Sequence, residues 1–169
     1  LPSHRKRILK WARGVATRRH GLDLAGQRVP AALALQYGLA QRLVFGAFKQ
    51  RIGFDRTHIY ATSAAPIGKD VLDFFASMDV VLHEVYGQSE VTGPTSANTL
   101  GNTRLGSLGK PLPGVTVRIA EDGEILVQGE NVCLGYYREE AATAELLEGG
   151  WLHSGDVGQL DSEGYLHIT

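Results

Sequence analysis

Two apolar runs on either side of a helical pattern constrain this 169-residue chain more than any other feature. His58-Ile59-Tyr60-Ala61-Thr62 and Asp79–Val85 read as strands, with little alternation between apolar and polar positions. Between them, Gly68–Met78 places Val71, Leu72, Phe74 and Phe75 in a helical pattern. Near-continuous apolar strands joined through a helix predict a parallel strand–helix–strand unit. In such sheets ligands bind beyond the carboxyl ends of the strands. That directs attention to Ser63-Ala64-Ala65-Pro66 after the first run and Tyr86-Gly87-Gln88-Ser89-Glu90 after the second.

The sequence on either side of this unit differs in texture. Before it, Ser3 after Pro2 is a plausible N-cap, Ile8, Trp11, Ala12, Val15 and Ala16 recur at helical spacing, and Gly21 is expected to end that helix. Pro30 suits the first turn of a second helix over roughly 31–50. Its apolar residues, among them Leu35, Leu39 and Leu43, cover more than one face and imply neighbours on several sides. After about residue 100, short β-like runs alternate with Gly and Pro, and Glu121-Asp122-Gly123 and Asp161-Ser162-Glu163-Gly164 read as tight turns. A short helix falls within Gly135–Leu147. The expected class is therefore α/β over 1–100, followed by a mostly antiparallel, barrel-like β subdomain over 101–169.

Charge follows the same division. Residues 1–60 hold 12 Lys+Arg against 2 Asp+Glu, and residues 61–169 hold 5 against 16, for a net charge of −1. The basic part suits a solvated helical face, with nucleic acid or an anionic membrane surface as alternatives. The single cysteine, Cys133, excludes an internal disulfide framework and a cysteine-built zinc site, and fits a reducing compartment. No apolar stretch approaches the ~18 residues a membrane-spanning helix needs. The first residue is Leu, and Ile168-Thr169 ends inside an apparent strand, which suggests a piece cut from something larger.

Each candidate site has a plainer reading beside it. Tyr86 could stack on a base, Gly87 admit a close backbone approach, Ser89 donate to a phosphate oxygen and Glu90 hold Mg²⁺, or the segment could be a surface loop. Asp156, in Trp151-Leu152-His153-Ser154-Gly155-Asp156, could accept two ribose hydroxyls or merely satisfy its own turn. His153 and Asp156 have no further ligand cluster to make a metal site. Ser63, Ala64, Ala65 and Pro66 would let a flat ligand approach, or form an ordinary turn. A nucleophile elbow is not matched, because Val91 stands where its last Gly belongs. Gly68-Lys69 is followed by Asp70 and Gly109-Lys110 by Pro111, so no P-loop is present. Gly106-Ser107-Leu108-Gly109 lies in the acidic part and reads as a loop.

Taken in order, these motifs resemble the adenylate-forming superfamily: acyl-CoA synthetases with their luciferase and peptide-synthetase adenylation relatives. Ser63–Pro66 is similar to the family's adenine-side loop, and Tyr86–Glu90 to its Tyr-Gly-x-Thr-Glu motif with Ser for Thr. Gly106–Pro111, Gly123–Gly129, Gly135-Tyr136-Tyr137 and Trp151–Asp156 follow in family order. The continuation Ser89 to Pro94, with the basic helices before it, most resembles long-chain fatty acyl-CoA synthetases.

The resemblance implies that Tyr86 stacks on adenine with Ala64, Ala65 and Pro66 opposite. Ser89 would contact the α-phosphate, Gly87 and Gln88 would belong to the same nucleotide site, Glu90 would hold Mg²⁺ and Asp156 would bind the ribose. ATP (leaving as AMP), Mg²⁺, coenzyme A and a fatty acid are the implied ligands. A carboxylate would attack the α-phosphate, and the coenzyme A thiol would then displace AMP. No nucleic acid is expected. A cytoplasmic protein is implied, with peripheral membrane contact left open. The family's phosphate loop would lie before Leu1, and its hinge and catalytic Lys, on the mobile carboxyl-terminal domain, after Thr169; no Lys here takes that role. The chain alone is thus expected to make no acyl-AMP, and Tyr86, Ser89, Glu90 and Asp156 are expected to meet at one open cleft.

Overall fold

The computed structural model describes residues 2–169. The chain forms two compact units, one of residues 1–61 and 67–82, the other of residues 62–66 and 83–169.

The first unit is helical. Helix α1 runs Ser3–Leu24, and a second helical stretch comprises α2 (Ala31–Ala40), a π-helical turn (Gln41–Phe45) and α3 (Gly46–Arg51). A short strand β1 (Tyr60–Thr62) and helix α4 (Lys69–Ser77) follow. Ser3 is the first helical residue rather than the cap; Pro2 takes the cap position and no side chain bonds there. Gly21 does not end α1. A helical Gly costs about 1 kcal/mol, and the buried face of Ala12, Val15 and Ala16, packed with Ala40 and Phe45, outweighs it. The chain turns at Gly26, where φ is +63°. Pro30 takes the N-cap position of α2, immediately before the first turn rather than in it. Leu35, Leu39 and Leu43 are 78%, 50% and 57% exposed, so the expected neighbours on that face are not present within the unit.

Asp79 is not a strand residue. It follows α4 in a left-handed turn (φ +66°), and its 4%-exposed carboxylate enters the helical unit. Tyr37 Oη and His20 Nε2 lie 2.5 and 2.8 Å from Oδ1; Gln41 Nε2 and Lys49 Nζ lie 2.5 and 2.6 Å from Oδ2. Burial alone would raise its pKa, but the His20, Lys49 and Tyr37 donors overcome this and bring it down to about 2.

The second unit is built of antiparallel strands. β2 (Leu82–Gln88) pairs with β3 (Gly93–Ala97), which pairs with β4 (Lys110–Pro111). β5 (Val115–Ile119), β6 (Glu124–Gly129), β7 (Leu152–Leu160) and β8 (Leu166–Ile168) form a four-stranded meander in that order. Both expected turns are present: Ala120 N–H donates to Glu124 O at 2.9 Å, and Asp161 N–H to Tyr165 O at 3.0 Å. Helix α5 spans Glu140–Leu146. Tyr86, Val91, Ile125, Val127, Leu152 and Leu166 form the buried core, each large aliphatic side chain contributing roughly 1.5–3 kcal/mol. Reciprocal backbone bonds of 2.8 Å (Leu108 N–H to Leu166 O, Leu166 N–H to Gly109 O) tie the 106–109 loop to β8. That loop is further held by Glu84, whose carboxylate accepts the Gly106 N–H at 2.7 Å.

Candidate functional site

Tyr86 is placed by β2 and by a break in its pairing. The β2–β3 register shifts between Tyr86 and Gly87. A Cβ at Gly87 would fall on the Gly93 carbonyl and the Pro94 backbone. Gly87 is therefore required by the neighbouring strand, not only by a ligand.

The tyrosine is 6% exposed, and its hydroxyl donates to Asp156 Oδ2 at 2.7 Å. Burial, reinforced by the Asp156 carboxylate, pushes the Tyr86 phenol well above its ordinary pKa. Its ring is packed in the core, so stacking on adenine would require one face to be uncovered.

Asp156 reaches Tyr86 from an irregular stretch of β7. Val127 and Leu126 pair with Leu152 and His153, after which the register jumps to Glu124 opposite Val157. Ser154, Gly155 and Asp156 therefore face only Ile125, and Gly155 takes φ +73°. Asp156 N–H donates to Ser154 Oγ at 3.1 Å. From β6, Glu124 Oε1 accepts the Gly155 N–H at 2.8 Å, and Oε2 lies 2.7 Å from His153 Nδ1.

Ser89 and Glu90 begin a 3₁₀ turn directly after β2. Ser89 is exposed. Glu90 Oε1 accepts the Tyr136 hydroxyl at 2.7 Å, which holds the Glu90 carboxyl below its usual pKa. Tyr136 also borders an open groove of about 480 Å³ with Tyr137, Arg138, Thr143 and Leu134. None of the four residues expected to converge lines that groove. Ser63, Ala64, Ala65 and Pro66 are all exposed, with Ala64 at φ +75°. Among the described residues no hydrogen bond joins them to Tyr86 or Asp156.

Tyr86 and Asp156, 70 residues apart in sequence, are thus in direct contact, while Glu90 is engaged by Tyr136. Glu124, His153 and Tyr136 are polar partners to which sequence reasoning gave no role. They lie in segments singled out by motif order, but spacing alone does not reveal which carboxylate meets which donor.

Among the described residues no group of three His, Cys, Asp or Glu could hold a metal ion alone. The single carboxylate of Glu90 fits Mg²⁺ only as one ligand of a cation otherwise carried by phosphate oxygens. Among the described residues no helix is long and apolar enough to cross a membrane.

Comparison with known proteins gives a consistent result. Residues 12–137 match the family model described as AMP-binding enzyme. The chain is 41% identical over 166 residues to fadD11 of Mycobacterium tuberculosis, a protein provisionally described as a fatty-acid–CoA ligase. It is 36% identical over 171 residues to the long-chain-fatty-acid–CoA ligase ACSBG2 of Mus musculus. Each alignment covers 98% of this chain but only 29% and 25% of the relative, so the chain spans between a quarter and a third of those proteins. Among solved structures, o-succinylbenzoate coenzyme A synthetase of Bacillus subtilis, in complex with ATP and magnesium ion, matches with a TM-score of 0.60 and 29% identity. That match covers 66% of this chain and 26% of the other. The amide bond synthetase McbA of Marinactinospora thermotolerans matches at 0.59 and 34%, covering 66% and 25%.

Proposed function

The chain belongs to the AMP-binding enzymes of the adenylate-forming superfamily, and on that premise we propose that its second unit supplies the adenosine-binding part of a fatty-acid–CoA ligase. The observation that carries this reading is the Tyr86–Asp156 hydrogen bond, which unites the adenine motif and the ribose motif at one point.

In this reading Asp156 accepts the ribose hydroxyls with the lone pairs that Tyr86 leaves free. Tyr86 orients Asp156 through its hydroxyl and lies against the base once its ring is uncovered. Ser63, Ala64, Ala65 and Pro66 flank the adenine, and Ser89 contacts the α-phosphate, with Gly87 and Gln88 in the same nucleotide site. Glu90, if freed from Tyr136, would hold Mg²⁺, which would neutralise phosphate charge. The reaction is the ATP-dependent activation of a carboxylate as acyl-AMP and its transfer to coenzyme A. Both ligase relatives support a fatty acid as substrate, and the Mus musculus one a long-chain fatty acid. The likeness to an o-succinylbenzoate synthetase and an amide bond synthetase supports a second reading, a different carboxylate on the same scaffold.

Titration of the chain with AMP, followed by NMR shifts of Tyr86 and Asp156, tests the nucleotide site. Wild type should show saturable shifts that Asp156→Ala abolishes; unchanged spectra at millimolar AMP would refute the reading. The chain itself should form no acyl-AMP from ATP, Mg²⁺ and palmitate and no palmitoyl-CoA when coenzyme A is added. Turnover in that assay would show that these residues suffice for catalysis.

A further inference from the structure

We propose that Glu124 is a positioning residue for Asp156, a role that rests on the ribose reading of Asp156 given above. Ser154, Gly155 and Asp156 bulge out of the β6–β7 ladder opposite a single residue. A bulge of this kind leaves backbone groups without ladder partners, so side chains must fix its shape. Glu124 does so from the facing strand. One carboxylate oxygen takes the Gly155 N–H at 2.8 Å, at the bulge's left-handed residue, and the other lies 2.7 Å from His153 Nδ1, where the bulge begins. The same side chain thus holds the chain from the last paired residue before the bulge to the residue before Asp156.

Glu124 is itself fixed by the turn before it. Its N–H donates to Asp122 Oδ1 at 3.0 Å, and Gly158 N–H donates to Gly123 O at 3.0 Å beyond the bulge. With both sides anchored, the path of the chain at 154–156 has little freedom left, and Asp156 is delivered to within 2.7 Å of the Tyr86 hydroxyl. Among the described residues Glu124 makes no hydrogen bond to Tyr86 or Asp156, and it shapes the site through the path of the chain. Its two oxygens are already committed to His153 and Gly155.

The test uses Glu124→Ala, Glu124→Gln and Glu124→Asp in the 169-residue chain. Three readouts are followed: hydrogen exchange of the Gly155 amide, the ¹³C resonance of the Tyr86 phenol, and AMP affinity. Glu124→Ala should speed Gly155 exchange about tenfold, move the Tyr86 signal toward that of Asp156→Ala, and weaken AMP about tenfold, the loss of one charge-assisted bond. Glu124→Gln keeps an oxygen for Gly155, and its amide N–H can meet His153 Nδ1 once the imidazole carries its proton on Nε2, so it should restore all three to within about threefold of wild type. Glu124→Asp keeps the charge but is one methylene short, and should behave as Glu124→Ala; because it conserves the strand and the charge, it decides the matter if the alanine variant fails to fold. Wild-type values of the Tyr86 signal in Glu124→Asp, or a glutamine variant as impaired as alanine, would overturn the proposal. Should wild type not bind AMP at all, the ribose reading falls, and Gly155 exchange with the Tyr86 signal still decides whether Glu124 positions Asp156.

Discussion

Asp79 in the helical unit is met by four side-chain groups, whereas Asp156 in the β unit is met by one, the hydroxyl of Tyr86. A carboxylate has about four lone-pair sites. Asp79 has all of them engaged and is closed to any ligand. Asp156 is half-buried and keeps most of its capacity to accept. Both residues carry the same charge and both find a tyrosine. What separates them is the number of donors already supplied by the fold. A saturated carboxylate is an anchor for its own unit, and an unsaturated one is available for chemistry.

The sharpest way to break this contrast is to remove each carboxylate in turn. Asp79→Ala should destabilise the helical unit by about 3–5 kcal/mol in urea unfolding, because Lys49 then loses its buried counter-charge and His20, Tyr37 and Gln41 their shared acceptor. A loss below about 1 kcal/mol would mean the cluster is not an anchor. Acid should act on the same group. Its folded pKa of about 2 lies below the ordinary aspartate value of 3.8, so its contribution is complete above about pH 5 and is lost as pH falls toward 2. The loss should be about 2 kcal/mol relative to Asp79→Ala, which should lack this step. Tyr86→Phe should cost about 1 kcal/mol in thermal or urea unfolding, since it removes one bond from a carboxylate that water can still reach. Asp156→Asn should cost least, under about 0.5 kcal/mol, because an amide oxygen still accepts from Tyr86. A larger cost for Asp156→Asn than for Asp79→Ala would reverse the assignment of anchor and site.

Local rules carried the sequence reading where structure is local. Pro30 at a helix start, Glu121-Asp122-Gly123 and Asp161–Gly164 as turns, and the short helix within 135–147 are all decided by a few adjacent residues. Asp79 was legible only as the start of a strand, because its donors come from positions 20, 37, 41 and 49, which no window around it contains. The exposed row Leu35, Leu39 and Leu43 was legible as apolar but not as uncovered, since burial depends on what lies opposite. At the candidate site, motif order predicts Tyr86, Ser89, Glu90 and Asp156 at one cleft; Tyr86 and Asp156 are in contact, whereas Glu90 bonds Tyr136. Glu124 escaped notice because its partners depend on a register jump in β6–β7, and register is set by the whole sheet.

The π-helical turn Gln41–Phe45 has a consequence for insertions and deletions. Gly46 N–H donates to Gln41 O, five residues back, so this turn holds one residue more than a regular helix would. Each helical residue advances the chain by about 100° around its axis. Removing one residue from 41–45 would therefore leave an unbroken, better-bonded helix from Ala31 to the end of α3, yet swing Lys49 about 100° away from Asp79 while Tyr37 stayed in place. The wide turn acts as an angular spacer, setting the two ends of one helix to point at a single carboxylate.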